Sequence, residues 1–204
     1  MNPIFSIGHS THSADKLRQL LAAHQISAVA DVRSSPYSRL NPQFNRETLC
    51  KNLRSGHISY VFLGTELGAR TEDRSCYVEG RVQYDLLART SLFQQGLDRA
   101  CRGAETHRIA LLCAEKEPLE CHRCILVSRH LVARGADVRH ILQDGVLESH
   151  GDTVARLLRE LRLEERELFR SHEDLVLEAY RRRGDEIGYV EPAAPDKRVR
   201  GMAR

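Results

Sequence analysis

Residues 108–123, R-I-A-L-L-C-A-E-K-E-P-L-E-C-H-R, decide how the rest of the chain is read. Ile109 to Cys113 is an apolar run too short for a helical period. It stops at Glu115-Lys116-Glu117-Pro118, the pattern of a buried strand that gives way to a loop. A helical pattern starts directly after Pro118, with an apolar face through Ile125, Leu126, Val127 and Leu131. The spacing therefore predicts Cys121, His122 and Arg123 in the first turn of a helix, where unpaired N–H groups and the positive end of the dipole favour an anion. Such a position lowers a thiol pKa, which makes Cys121 the candidate nucleophile and Arg123 the candidate anion ligand.

Working outward, four more runs read as strands, at residues 3–7, 26–32, 57–63 and 137–142. Helical stripes lie between them, including Leu17, Leu20 and Leu21 behind a Ser13 cap, and Tyr84, Leu87, Phe93 and Leu97 within residues 82–100. Alternation of this kind predicts an α/β fold with a mostly parallel sheet of about five strands and helices on both faces. Residues 1–150 form that core. Residues 151–184 predict a charged helical appendage with apolar stripes at Val154, Leu157, Leu158 and Leu161 and at Leu168, Leu175, Val176 and Ala179. It packs either on the sheet or on a second copy, which leaves a homodimer through these helices open. Residues 185–204 are polar and proline-rich and are expected to form a mobile tail.

Composition narrows the function. The 204 residues are 29% charged with a net charge of only +3, so extensive tracking of a polyanion is not indicated. No apolar run approaches the roughly 20 residues of a membrane span. The first ten residues lack the pattern of a signal peptide, so a cytoplasmic protein with no membrane partner is expected. The six cysteines are spread over candidate strands, helices and loops, unlike a secreted disulfide framework, and read as reduced thiols. Cys121-x-x-Cys124 has no second such pair, and Cys124 is more simply a packing residue.

In a parallel sheet ligands bind outside the carboxyl ends of the strands. Three of the five candidate strands end in polar clusters: Gly8-His9-Ser10, Asp31-Val32-Arg33 and Cys113-Ala114-Glu115. Convergence of these ends is the main functional expectation. Individually, His9 is either a turn residue or a ligand, and Asp31 and Arg33 form an ion pair or face a substrate. Cys113 reads as a small buried hydrophobe. Glu115 is a general acid or base if burial raises its pKa, and otherwise a loop carboxylate.

These residues resemble a bacterial and archaeal family known only as domain of unknown function 488. The resemblance rests on Ile7-Gly8-His9-Ser10, Asp31-Val32-Arg33, Asn41-Pro42-Gln43-Phe44-Asn45, the Tyr60-to-Arg70 run Y-V-F-L-G-T-E-L-G-A-R, Leu112-Cys113-Ala114-Glu115 and Cys121-His122-Arg123, with a weaker match at Val138, His140, Ile141, Gly145 and His150. It covers roughly residues 3 to 150, and together the motifs are specific. One departure is Ala69, where the family often has a second glycine before the arginine. The resemblance implies an α/β fold and a cytoplasmic protein, and no established reaction. Its motifs add Asn41 and Arg70 to the candidate binding residues.

Three functions compete. The first is an enzyme acting on a phosphate-bearing or other anionic small molecule, a nucleotide among them. His9, Ser10, Asp31, Arg33, Asn41, Arg70, His122 and Arg123 would bind it, and Cys121 and Glu115 would do covalent or acid–base work. The second is a nucleic-acid-associated module, since Arg33, Tyr37, Arg39 and Phe44 in one loop and Arg70, Arg74 and Arg81 in the next mix cations with stacking side chains. The third is a metal site drawing on His9, Cys113, Glu115, Cys121 and His122. Against the metal stand the uncommon spacing and the expectation that adjacent Cys121 and His122 point apart on a helix, so no residue is assigned as a metal ligand. The sequence names no cofactor.

Overall fold

Strand β1 (Ile4–Gly8), helix α1 (Ala14–Ala23) and strand β2 (Ala28–Asp31) open the chain, in a computed structural model that describes residues 1–163 and 170–192. The predicted cap is present: Ser13 accepts a hydrogen bond from the Lys16 amide. The long polar loop after β2 holds one 3-10 turn, Pro42–Phe44, before α2 (Arg46–Ser55) and β3 (Ser59–Phe62). Next come α3 (Gly64–Leu67), the hairpin β4 (Tyr77–Val78) and β5 (Arg81–Val82), α4 (Tyr84–Leu87), α5 (Ser91–Thr106) and β6 (Ile109–Cys113). A π-helical segment, Arg123–Ser128, runs into α6 (Arg129–Ala133), and β7 (Val138–Ile141), β8 (Leu147–Ser149), α7 (His150–Glu160) and α8 (His172–Ile187) follow.

The sheet has six strands in the order β3-β2-β6-β1-β7-β8. All are parallel to their neighbours except β8, which pairs antiparallel with β7. The extra strand is a three-residue edge reached through a tight turn at Gly145, too short for period-two reading. Within β6 the burial explains the unbroken apolar run. Ile109, Leu111 and Cys113 face a core with α5, α6, α7 and α8. Ala110 and Leu112 face the other, with Leu17, Leu20 and Leu21 of α1 and Leu49 and Leu53 of α2. A parallel strand covered on both faces has no polar side to display. Burying each such leucine stabilises the fold by about 1.5–3 kcal/mol.

The strand order matters most for function. β6 lies between β2 and β1, so the three polar strand ends are immediate neighbours. The chain leaves β1 toward β2 and β3 on one side and later adds β7 on the other. β1 therefore marks a change of direction, the place where open α/β sheets bind ligands.

The appendage packs on the core. Leu157 and Leu158 of α7 and Leu175, Ala179 and Tyr180 of α8 are buried in the cluster shared with β6. Leu168, expected in the second stripe, lies outside the described residues. Residues 185–192 differ from the expected tail: α8 continues to Ile187, Val82 N–H donates to Tyr189 O, and Val190 bridges Arg81. The rest of that segment, 193–204, lies outside the described residues. Among the described residues no helix is long and apolar enough to cross a membrane.

Candidate functional site at the strand ends

A cavity of about 660 Å³ opens at the carboxyl edge of β2, β6 and β1, a size suited to a small organic ligand. Of the ten candidate residues, His9, Ser10, Arg33, Asn41, Arg70, Glu115 and His122 line it, and Asp31, Cys121 and Arg123 do not.

One wall is a fixed ion-pair network. Asp31 is fully buried at the end of β2 and accepts from Arg33 Nε at 2.9 Å, Arg33 Nη2 at 2.6 Å, the Arg33 amide at 3.1 Å and Tyr60 Oη at 2.8 Å. Asp31 and Arg33 thus form the ion pair, and Arg33 also lines the cavity. Arg33 Nη1 also donates to His9 Nε2 at 3.2 Å, while His9 Nδ1 donates to the Ser10 carbonyl at 2.9 Å. Burial, assisted by the Arg33 charge, pulls the His9 pKa down to about 4, so its ring is neutral at neutral pH. The ring stacks on Phe44 with centroids 4.3 Å apart. His9 is therefore a braced wall residue whose lone pair is already engaged.

The lining also holds uncommitted donors. Among the described residues neither the Asn41 amide nor the Arg70 guanidinium makes a side-chain hydrogen bond, and Arg70 rests over the Tyr189 ring at 4.7 Å. Ala69 is buried, and its backbone is not left-handed, so the methyl group replaces a glycine there without strain. Tyr84, Ile187 and Tyr189 also line the cavity. Sequence reading missed this contribution of the α8 end, because only the fold carries residue 189 back to residue 70.

The floor is sulfur-rich. Cys113 ends β6. Cys121 follows the 3-10 turn Pro118–Glu120 in an extended conformation, φ −137° and ψ 138°, and His122 then caps the π-helical segment that starts at Arg123. This corrects the expectation that Cys121 and His122 share a helical turn and diverge. The bend between them aims both side chains at one point. Cys113 Sγ and Cys121 Sγ each lie 2.9 Å from Glu115 Oε2, and they lie 3.7 and 3.9 Å from His122 Nδ1. His122 Nε2 donates to the Val32 carbonyl at 3.0 Å, which leaves the Nδ1 lone pair facing the sulfurs in the neutral ring.

Electrostatics divides the two thiols. Burial pushes both upward. For Cys121 the Cys113 hydrogen bond, the Arg123 charge and His122 outweigh burial and hold its pKa well below the usual thiol value. For Cys113 burial and the neighbouring Cys121 act together, and its pKa lies well above. Of the two thiols Cys121 is therefore the one favoured to ionise first. His122 is raised, because its hydrogen bond to Cys121 and the nearby negative charges outweigh burial.

Arg123 departs from expectation. It is fully buried, and its guanidinium donates to the carbonyls of Glu115 at 2.8 Å and Lys116 at 3.1 Å. It shapes the floor and supplies positive charge from behind. It is not among the residues that line the cavity.

The family model described as Domain of unknown function DUF488 matches residues 13–130, more than half of the chain. The chain belongs to that family. No curated protein and no solved structure matches it. The DUF488 match is shorter than the resemblance read from motifs. It includes the Asp31–Arg33 pair, Asn41, Arg70 and the whole Cys113–Arg123 floor, and it leaves out His9, Ser10 and α8.

Proposed function

We propose that the protein is an enzyme that binds a phosphate-bearing or other anionic small molecule, nucleotides included, at the carboxyl ends of its strands. The observation that carries this reading is that one cavity sets the unengaged donors of Arg70 and Asn41 against a floor of Cys113, Glu115 and His122. Polar groups converging on a pre-formed cavity of this size are the usual makings of a ligand site. Arg70 and Asn41 take the anion, while Arg33, fixed by Asp31, holds the wall at His9. Glu115, the exposed carboxylate of the floor, moves protons. Cys121 supplies thiolate character from beneath rather than attacking from within the cavity.

A nucleic-acid role draws less support. Of the two expected stacking residues Tyr37 is exposed but Phe44 is fully buried, and Arg33, Arg74 and Arg81 are committed to Asp31, to Glu191 and to the carbonyls of Asp185 and Gly188.

A thermal-shift screen over nucleotides, sugar phosphates and carboxylates tests the proposal. A ligand at a hundredfold excess over its dissociation constant adds about 2.7 kcal/mol of stability. Arg70 is exposed, so Arg70→Ala is expected to leave the free protein's stability within about 0.5 kcal/mol while removing most of the ligand-induced shift. A ligand shift of unchanged size in both Arg70→Ala and Asn41→Ala would overturn the reading.

A further inference from the structure

We infer that Cys113, Cys121 and His122 Nδ1 form the three-ligand base of a site for a thiophilic divalent cation of the zinc class, with Glu115 as a displaceable fourth ligand at the mouth. The inference does not depend on the identity of any anionic substrate.

Four acceptor atoms from these residues lie within 4.8 Å of one another. On a tetrahedral ion with sulfur at about 2.3 Å and nitrogen at about 2.0–2.1 Å, the sulfur–nitrogen edge is about 3.6 Å. The two such edges here are 3.7 and 3.9 Å. The sulfur–carboxylate contacts of 2.9 Å are shorter than a coordination edge, so Glu115 draws back slightly when an ion enters. Two thiols and a carboxylate oxygen at this spacing need a proton or a cation among them. An ion displaces the thiol proton and satisfies all three together.

The surroundings are those of a metal ligand set. A ligating imidazole generally donates its second N–H to a carbonyl or carboxylate, which fixes the ring and its tautomer. His122 Nε2 donates to the Val32 carbonyl. Cys121 Sγ accepts the Arg123 backbone N–H at 3.4 Å, and the Arg123 guanidinium stands behind the sulfurs with its buried Nε unpaired among the described residues. Positive charge at that place offsets two thiolates and a carboxylate. Sulfur and imidazole select zinc-class ions over magnesium or calcium, which take oxygen.

Openness distinguishes the site from a structural zinc knot. Cys113, Cys121 and His122 are buried, while Glu115 is exposed at the cavity. Three protein ligands and one replaceable position are the arrangement of a catalytic rather than a closed site. A substrate or water that displaced Glu115 would meet the ion directly, and the freed carboxylate would stand beside it as a proton acceptor.

The test uses the full chain purified without a histidine tag under reducing conditions, loaded with Zn²⁺ or Co²⁺ and desalted. Expected are near-stoichiometric metal, and for cobalt the intense visible bands of a four-coordinate ion with a thiolate charge-transfer band of two-sulfur strength. Cys121→Ser and His122→Ala should lose the ion. Cys124→Ser should keep it, because Cys124 faces His140 in a separate cluster. Stoichiometry near zero, a weak cobalt spectrum without sulfur charge transfer, full loading in a folded Cys121→Ser, or loss in a folded Cys124→Ser would each overturn the assignment. If Cys121→Ser does not fold by circular dichroism, the wild-type cobalt spectrum decides by itself. Metal is counted without any anion, so failure here leaves the proposed anion site standing, and failure of the ligand screen leaves the metal count standing.

Discussion

At the scale of single residues, the polar groups that the sequence marked out divide into those that line the cavity and those that hold them. Arg123 was legible as important from its place after Pro118 at the expected start of a helix, and Asp31 from its place at the end of a strand. Their partners were not legible. The carbonyls that Arg123 binds belong to a loop whose path depends on the whole fold, and a guanidinium that meets two carbonyls looks in sequence like one that meets an anion. Buried histidines give this scale its prediction. His9, packed on Phe44, and His150, hydrogen-bonded through Nδ1 to His140 and through Nε2 to Tyr180, are both lowered by burial to about 4. Unfolding releases them to about 6.5, so between those values the unfolded chain binds more protons and stability falls as pH falls. Each histidine contributes about 3 kcal/mol that is fully present above about pH 6.5 and gone below about pH 4. Urea unfolding midpoints measured from pH 7.5 down to 4.5 are expected to drop steadily below pH 6.5. A flat profile across that window would contradict the buried neutral state of both rings.

At the scale of elements, β1 and the loop after β6 fit against each other with no space to spare. A Cβ placed on Gly8 would stand 1.8 Å from the Glu115 carbonyl oxygen and 3.2 Å from Arg123 Nη2. Glycine is therefore required there by close backbone approach, a distinct need from the left-handed turn that a glycine usually suggests. Gly8→Ala must push the Glu115 carbonyl off Arg123, and it is expected to cost more than about 2 kcal/mol in chemical unfolding. The variant should also alter the cobalt spectrum while keeping the ion, since the carbonyl and the carboxylate of Glu115 move together and Glu115 is the fourth ligand. Wild-type stability in Gly8→Ala would mean that the loop is free to shift and that the floor is not pre-formed. Element types and their order could be read from the sequence, because the apolar runs of β1, β2 and β6 are short and continuous. The segment after Pro118 could not. Helical periodicity in Ile125, Leu126, Val127 and Leu131 is the same whether the chain enters the helix at residue 119 or 123, and no spacing distinguishes a π-helical turn from an α-helical one. That difference is what turns Cys121 toward His122.

At the scale of the whole molecule, topology does what no local pattern could predict in detail. The insertion of β6 between β2 and β1 brings together residues separated by about a hundred positions, and α8 closes the cavity from the far end of the sequence. The apolar stripes of α7 and α8 were visible, but whether they met this core or another copy was not, because a buried stripe looks the same against either. Here α8 is part of the core. Leu175, Ala179 and Tyr180 are buried, and Gly184 lets the helix approach Tyr84 so closely that an added Cβ would lie 3.3 Å from that ring. Tyr180 Oη reaches His150 Nε2 at 2.8 Å, and His150 Nδ1 meets His140 Nε2 at 3.0 Å, tying α8 through α7 to β7. Contacts of this kind are expected to make α8 open only with the sheet. Native-state hydrogen exchange is therefore expected to give the amides of Ala179 and Tyr180 opening free energies within about 1 kcal/mol of those of Leu111 and Leu112 in β6. If α8 instead exchanged by a separate opening several kcal/mol cheaper, it would be a detachable cover. The cavity wall at Tyr189, with the placement of Arg70 that depends on it, would then be a state the protein enters rather than one it keeps.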